Sequence, residues 1–248
     1  MVLSREELIY MAKVCEQTER FDDMLGYMRS AITEHTPELS VIERNLLSVA
    51  YKNSVGNRRN AWRSLLAVEG RDEAKTHAGL LKDYKAKIEK ELDTICNEII
   101  GFLDSKLLPA VKNMKGDEKE KIQNEVFFLK MKADYFRYIA EYSGETNKTA
   151  ADQSGEIYAK ALELAEAHLE TTDPIRLGLS LNASVFFYEV LNDSRRACDL
   201  AKRTFDKAIE NIEAIDENNY KDSTTIMQLI RDNMNLWNAE LEEKQADA

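Results

Sequence analysis

The chain has 248 residues, of which 44% are hydrophobic and 32% are charged, a balance typical of a folded protein rather than a disordered one. Its nine glycines and three prolines are too few for a sheet with many tight turns, which disfavours an all-β sandwich or barrel. The 45 acidic residues outnumber the 34 basic ones, and this net charge of −11 argues against a nonspecific nucleic-acid binder or a protein that binds anionic membranes.

Apolar residues recur at helical spacing along nearly the whole chain, which predicts about nine helices. Ser4 with Glu7, and Ser40 with Glu43, are capping-box patterns at the starts of the first and third helices. Pro109 is expected to end the fourth, because proline cannot continue the hydrogen-bond ladder. The first four helices are predicted over 4–18, 21–35, 40–70 and 76–108.

Five more helices are predicted in the second half of the chain, over 117–142, 149–169, 174–191, 195–214 and 223–241. Asp173-Pro174 places a cap and a first-turn proline at the start of one of them, and Asp222-Ser223 is expected to cap the last. The loops are short, which favours antiparallel packing of neighbouring helices. The sequence therefore predicts an all-α fold.

No Gly/Ser/Pro-rich linker divides the chain, so a single helical domain is expected over 1–241. The segment 242–248 is a short polar tail that we expect to be mobile. The longest stretch without formal charge, Leu177 to Tyr188, is too short to cross a bilayer, which takes about 20 residues. With no secretory signal in the first residues and no paired cysteines, we expect a cytoplasmic or nuclear protein without membrane insertion.

Motifs for catalysis, metal binding or nucleotide binding are absent from the sequence. The three histidines, His35, His77 and His168, complete no metal-binding pattern, and no phosphate-binding glycine loop or nucleophile elbow occurs. We therefore expect no metal, no cofactor and no enzymatic activity, and we favour a binding or scaffold protein.

The ninth predicted helix carries nearly two apolar stripes, whereas a surface helix normally has one. One stripe is Met227, Ile230, Met234 and Leu241, and the other is Ile226, Leu229, Asn233, Leu236 and Trp237. Either the helix is buried on both sides, or one stripe faces a groove that binds a ligand.

The seventh predicted helix leaves a similar alternative open, because Asn182, Val185 and Glu189 share a face. The side-chain amide of Asn182 is either a core group whose hydrogen bonds are satisfied within the protein or a group that faces a bound peptide.

Cations are also aligned on two helices. Lys52 and Arg59 are seven residues apart, so they point the same way, and Arg63 follows one turn later. A second stripe on the fifth helix is Lys130, Asp134 and Arg137. Taken alone, such stripes are ordinary solvated ion-pair faces.

Four long sequence segments and one short one resemble a known protein family, and this resemblance suggests a binding role for the two stripes. The stretch RNLLSVAYKN (Arg44–Asn53), followed by Val55-Gly56 and Arg58-Arg59, resembles the 14-3-3 family. The others are EQTERFDDM (16–24), VFFLKMKADYFRYIAEY (126–142), PIRLGLSLNASVFFYE (174–189) and DSTTIMQLIRDNMNLW (222–237). The resemblance implies a cup-shaped subunit of nine antiparallel helices with an amphipathic groove. It also implies a dimeric adaptor that binds phosphoserine or phosphothreonine motifs and regulates its client proteins.

The family resemblance also assigns roles to individual residues. It implies that the phosphate is bound by Lys52, Arg59, Arg137 and Tyr138. The rest of the peptide would contact Lys130, Asp134, Leu181, Asn182, Val185, Glu189, Ile226, Leu229, Asn233, Leu236 and Trp237. A phosphoryl group carries about −1.5 to −2 charges and three acceptor oxygens, which suits two guanidinium forks, an ammonium and a phenol.

By the same resemblance, the helices within 4–108 form the dimer interface and the basic wall, and those within 117–241 form the rest of the groove. The implied interface residues are Val14, Arg20, Asp23, Leu65, Tyr84, Lys87 and Glu91. Arg20 would pair with Glu91 of the second copy and Asp23 with Lys87, in a homodimer or a heterodimer with a paralogue. Two other functions remain open from the residues alone: a phosphate-independent helical-repeat scaffold and a helical enzyme acting on phosphorylated metabolites.

Overall fold

The computed structural model describes residues 3–144 and 148–246, and no strand occurs among them. The helices are α1 (Arg5–Gln17), α2 (Phe21–Glu34), α3 (Val41–Glu69), α4 (Ala78–Phe102), α5 (Leu108–Asn113), α6 (Glu118–Ser143), α7 (Lys148–His168), α8 (Pro174–Glu189), α9 (Ser194–Glu210) and α10 (Tyr220–Ala246). Within the described ranges, all except the six-residue α5 have 13 residues or more. The predicted all-α class with nine long helices is confirmed.

The chain forms two compact units that divide after Met114, in the loop between α5 and α6. In the first unit, α1 packs on α2 and α3, α2 packs on α3, and α3 packs on α4. In the second unit, α6 and α7 pack on each other and on α8, and α8, α9 and α10 contact one another pairwise. Consecutive helices are therefore neighbours within each unit, as the short loops predicted.

Both predicted capping boxes are present. The Ser4 hydroxyl accepts from the amide of Glu7 at 3.2 Å, and the Glu7 carboxylate accepts from the amide of Ser4 at 2.8 Å. Ser40 and Glu43 make the same reciprocal pair at the start of α3. Asp173 caps α8 by accepting from the Ile175 amide at 2.8 Å, with Pro174 in the first turn. These starts are decided by bonds within one turn of chain, which is why the sequence predicts them.

The predicted end of the fourth helix at Pro109 is wrong. A π-helical segment, Leu103–Leu107, follows α4, and α5 continues the helical path to Asn113. The wider π turn closes with a bond from the Leu108 amide to the Leu103 carbonyl. Pro109 then falls at the start of α5, where a helix does not need its missing amide proton.

The predicted start of the last helix at Ser223 is also wrong, because α10 begins at Tyr220. The Ser223 side chain is buried and donates to the carbonyl of Thr172 at 2.7 Å, so it joins α10 to the loop before α8 instead of capping its own helix. The helix continues through Ala246 and thus covers most of the predicted tail; residues 247 and 248 of that tail lie outside the described residues.

The core of the second unit uses the first of the two stripes on α10. Met227 and Ile230 are at most 3% exposed, and Met234 and Leu241 pack against the same cluster. The cluster contains Leu177, Ala197, Cys198, Ala201, Ala208, Met227, Ile230 and Trp237. All three cysteines of the chain are unpaired and buried, and none of the helices in the described ranges is long and apolar enough to span a membrane.

Candidate functional site

A buried carboxylate on α6 organises the polar centre of the second unit. Lys130 contacts one oxygen of Asp134 at 3.0 Å, and the Tyr158 hydroxyl of α7 donates to the other. The Asn182 amide of α8 donates to both oxygens, at 2.9 and 3.0 Å, and Arg137 donates at 3.4 Å. Four side chains from three helices therefore converge on one acceptor.

This network fixes the direction of the Arg137 guanidinium. Its Nε donates to the Tyr158 hydroxyl at 3.2 Å, its Nη2 to Asp134, and its Nη1 lies 3.9 Å from the Glu189 carboxylate. The guanidinium carbon lies 4.7 Å from the centre of the Tyr138 ring. Only 8% of the Arg137 side chain is exposed, so the charge is held in place by protein contacts and largely removed from water.

Burial and charge oppose each other at Asp134. Burial alone would raise the pKa of this carboxyl, but the charges of Lys130 and Arg137, with hydrogen bonds from Tyr158 and Lys130, hold it below its usual value. Burial, followed by the Asp134 charge, raises the pKa of Tyr158 well above its usual value. Asp134 is therefore ionised and Tyr158 protonated near neutral pH, which are the states that the hydrogen bonds require.

In the first unit, α3 presents a row of cations on one side. Lys52 and Arg63 are exposed and Arg59 is half-buried. Because seven residues fall only about 20° short of two turns, Lys52 and Arg59 share a direction. The neighbouring Arg58 points elsewhere: it pairs with Asp22 of α2 at 2.8 Å and with Glu91 of α4 at 2.9 Å. Arg58 therefore joins α3 to α2 and α4 through ion pairs, and of these two adjacent arginines only Arg59 belongs to the row of cations.

The second apolar stripe of α10 is partly open. Leu229 is 49% exposed and Leu236 is 57% exposed, while Ile226 and Asn233 are half-buried. On α8, the side chains of Leu181 and Val185 are half-buried against the core cluster.

Trp237, predicted on the peptide face, is 3% exposed and stacks on Tyr188 with ring centres 5.0 Å apart. Its ring thus supports the wall from within the core. The rest of this stripe stays open to a ligand, with Leu229 and Leu236 exposed and Asn233 half-buried between them.

The residues implied for the dimer interface differ in how much of each side chain is exposed to solvent. Tyr84 is 54% exposed and Lys87 is exposed, whereas Leu65 is only 7% exposed. Within the chain Arg20 pairs with Asp23, both on the surface, and Val14 and Glu91 are half-buried. Leu66 and Leu80, which the sequence reasoning did not select, are 38% and 71% exposed. Leu80 lies four residues before Tyr84 on α4, so these two exposed side chains share a face of that helix.

Tyr158 is a polar residue that the sequence reasoning missed, and Arg58 was noted only as part of the Arg58-Arg59 pair, without its ion pairs to Asp22 and Glu91. Tyr158 lies more than 20 positions from both Asp134 and Arg137 in the sequence, so no local pattern links them. The one available signal was general: buried charged groups need hydrogen-bond partners from other parts of the chain. Among the described residues, no group of three or more His, Cys, Asp and Glu side chains could hold a metal ion.

Comparison with known proteins identifies the family. A family model described as "14-3-3 protein" matches residues 11–238. The 14-3-3-like protein G-BOX factor 14 kappa of Arabidopsis thaliana is 46% identical over 99% of this chain and 98% of its own length. The 14-3-3-like protein B of Hordeum vulgare is 49% identical, over 99% and 92%. The 14-3-3 protein homolog of Neospora caninum is 49% identical, over 97% and 91%. The chain therefore belongs to the 14-3-3 family, whose members are adaptors for phosphorylated peptides and not enzymes.

Proposed function

We propose that this chain binds phosphoserine or phosphothreonine segments of client proteins through a defined set of side chains. The phosphate would be bound by Lys52, Arg59, Arg137 and Tyr138. The observation that carries the proposal is the fixed guanidinium of Arg137, which Asp134 and Tyr158 hold in one orientation in a buried setting.

A preorganised arginine suits an anion with several acceptor oxygens, such as a phosphoryl group. A guanidinium donates two parallel hydrogen bonds to a phosphoryl group, and such charge-assisted bonds contribute about 1.5–3 kcal/mol each. Because Arg137 is already immobile, binding does not have to order it. The Tyr138 ring, whose centre lies 4.7 Å from the guanidinium carbon, is a further contact that holds the group in place.

The segments that flank the phosphoresidue would be held by amides and leucines of the second unit. Asn182 is anchored by Asp134, and its amide oxygen takes no part in those two bonds, so it can accept from a peptide amide. Asn233 lies on α10 between Leu229 and Leu236, which offer exposed apolar surface on either side. Such alternation of amide and apolar groups suits an extended peptide, which presents backbone donors and side chains in turn.

Titration of one client-derived peptide with and without its phosphate tests the proposal. We expect the phosphorylated form to bind at least roughly 100-fold more tightly, because two or more charge-assisted hydrogen bonds depend on the phosphoryl oxygens. Isothermal titration calorimetry measures both affinities, and a glutamate in place of the phosphoresidue serves as a matched anion of lower charge. Equal affinity of the phosphorylated and unphosphorylated forms would instead identify a phosphate-independent scaffold.

The same proposal includes a homodimer formed through α1 to α4, with exposed apolar side chains providing most of the affinity and surface ion pairs fixing the register. Tyr84→Asp should then weaken dimerisation at least about tenfold, because a charge would be buried at the interface. Analytical ultracentrifugation measures the effect. Tyr220→Asp is the matched control, since Tyr220 is equally exposed at 54% but lies at the start of α10. If both variants dimerise like the native chain, Tyr84 is not an interface residue.

We also propose that the protein works in the cytoplasm and the nucleus, where its clients would be phosphorylated. Its net charge of −11 supports selective binding, since an acidic surface repels nucleic acids while the local cations of α3 and α6 still attract a phosphopeptide.

A further inference from the structure

The first turn of α3 carries two exposed β-branched residues that neither the fold nor the proposed phosphate contacts explain. Val41 is 46% exposed and Ile42 is 59% exposed. Both lie directly after the Ser40 cap, on the helix that carries Lys52 and Arg59. Exposed apolar residues are common on protein surfaces, so the surroundings of this pair decide whether it forms part of a binding surface.

This turn is rigid. The capping box joins Ser40 and Glu43 in both directions, and Arg5 of α1 bonds to the Glu43 carboxylate at 2.9 Å. Arg5 also donates to the carbonyls of Thr36 and Glu38 in the preceding loop, each at 2.7 Å. The loop and the helix start are therefore pinned to α1, and the two apolar side chains project from a fixed base.

Helix geometry places Val41 on the cation-bearing side of α3 and Ile42 at the edge of that side, about 80° from the direction of Lys52. With about 100° per residue, Val41 lies within about 20° of the direction of Lys52. By the same measure, Ile42 lies within about 20° of Val49, and Val49 is about 60° from Lys52. Along this side of α3, starting from its N-terminus, the side chains are the apolar pair, the exposed amide of Asn45, Val49 and then the cations.

The spacing gives the reach of a bound peptide. At about 1.5 Å per residue, Val41 lies roughly 16 Å along the axis from Lys52. An extended chain advances about 3.3 Å per residue, so it covers this distance in about five residues. A client that places its phosphate at Lys52 and runs along α3 would bring its fourth or fifth neighbouring residue to Val41 and Ile42.

We propose that Val41 and Ile42 form a specificity-determining contact for an apolar client side chain four or five residues from the phosphoresidue. The inference rests on the proposed function, and continuity with the cation row of α3 selects an extended client segment as the occupant. No charge lies in the pair itself, and the Glu43 carboxylate is engaged by Arg5 and Ser40, so an apolar side chain is favoured over a charged one.

The test uses phosphopeptides that differ at these positions only. Each series consists of two peptides, one with Leu and one with Asn at both variable positions. In the first series these positions are the fourth and fifth residues after the phosphoresidue, and in the second series they are the fourth and fifth residues before it. With the native chain we expect the Leu peptide of one series to bind about fivefold to tenfold more tightly than its Asn partner. The double variant Val41→Asn with Ile42→Asn should reduce this preference below about twofold, without weakening the Asn peptide.

Ile209→Asn is the matched control, because Ile209 is a comparably exposed isoleucine (44%) on α9. It should keep the native preference. If phosphate dependence is intact and the native chain shows no preference in either series, or the double variant keeps it, the inference is wrong and the proposed function stands. A double variant that loses self-association but keeps the preference would show instead that the pair contacts a second copy of the chain. Loss of phosphate dependence in the native chain would overturn both proposals.

Discussion

Lys52→Glu should weaken phosphopeptide binding by roughly 100-fold or more while leaving the helix content unchanged. The substitution removes one charge-assisted hydrogen bond, whose loss costs about 1.5–3 kcal/mol, and it places a negative charge where a phosphate of −1.5 to −2 charges would bind. Lys52 is exposed near the middle of α3, and glutamate is about as good a helix former as lysine, so stability should barely change. Fluorescence anisotropy with a labelled phosphopeptide measures affinity, and circular dichroism measures helix content.

Lys90→Glu is the control for this variant. Lys90 is also an exposed lysine inside a long helix of the first unit, so the change in net charge is the same. If the loss came from the general field of an acidic protein, both variants would weaken binding equally, and salt would screen the effect in both. An affinity for Lys52→Glu within threefold of the native value would remove Lys52 from the phosphate site.

Features decided within one or two turns of chain are those that the sequence predicted well. Ser4 with Glu7 and Ser40 with Glu43 cap their helices as the spacing indicated, because both partners lie three residues apart. The first stripe of α10 entered the core for a similar reason, since Met227 and Ile230 share a face by helical periodicity alone.

Features decided by contacts between distant residues could not be predicted in the same way. Ser223 has the local pattern of a cap, but it bonds to Thr172, about 50 positions away. Pro109 does not end the helical path, because the π turn before it shifts the register of the backbone hydrogen bonds. No local sequence pattern predicted that π turn. In the candidate site, the order Lys130, Asp134, Arg137 gave the stripe on α6, but the Tyr158 that completes it comes from α7.

Asp134→Ala should be the most destabilising single substitution in the site, lowering the free energy of unfolding by about 3–5 kcal/mol. The reason is the uncompensated charge that remains: the Arg137 side chain is 8% exposed and would lose its nearest carboxylate. The buried Tyr158 would also lose its acceptor, and an unsatisfied buried donor costs about 1–3 kcal/mol, while the half-buried Asn182 would lose two hydrogen bonds. Thermal unfolding followed by circular dichroism should show a midpoint lower by roughly 10 °C.

Two comparison variants separate charge from packing. Asp134→Asn keeps the shape and one acceptor but removes the charge, whereas Tyr158→Phe removes only a hydroxyl and should cost about 1–2 kcal/mol. We expect Asp134→Ala to be the least stable, Asp134→Asn intermediate and Tyr158→Phe the mildest. If Asp134→Ala unfolds within 2 °C of the native chain, the carboxylate is not what stabilises Arg137.

The pH dependence adds a check on the same variants. The pKa of Asp134 is lower in the folded chain than its usual value of about 3.8, so its ionised form stabilises the fold at pH values above that value. This contribution disappears as the pH falls through the folded-state pKa. The difference in stability between the native chain and Asp134→Asn should therefore be full at pH 7 and shrink below about pH 4, as chemical denaturation at each pH would measure.

Stability and affinity should fall together in Asp134→Ala but separate in Lys52→Glu. In the proposed site Asp134 would act on the phosphate through Arg137, which it orients from within the second unit, so removing it should free the guanidinium and weaken phosphopeptide binding as well as the fold. Lys52 would meet the phosphate directly and supports nothing in the core. Binding measured at 10 °C, where Asp134→Ala is still folded, isolates this positioning effect. Native affinity in that variant would mean that the phosphate does not depend on how Arg137 is held.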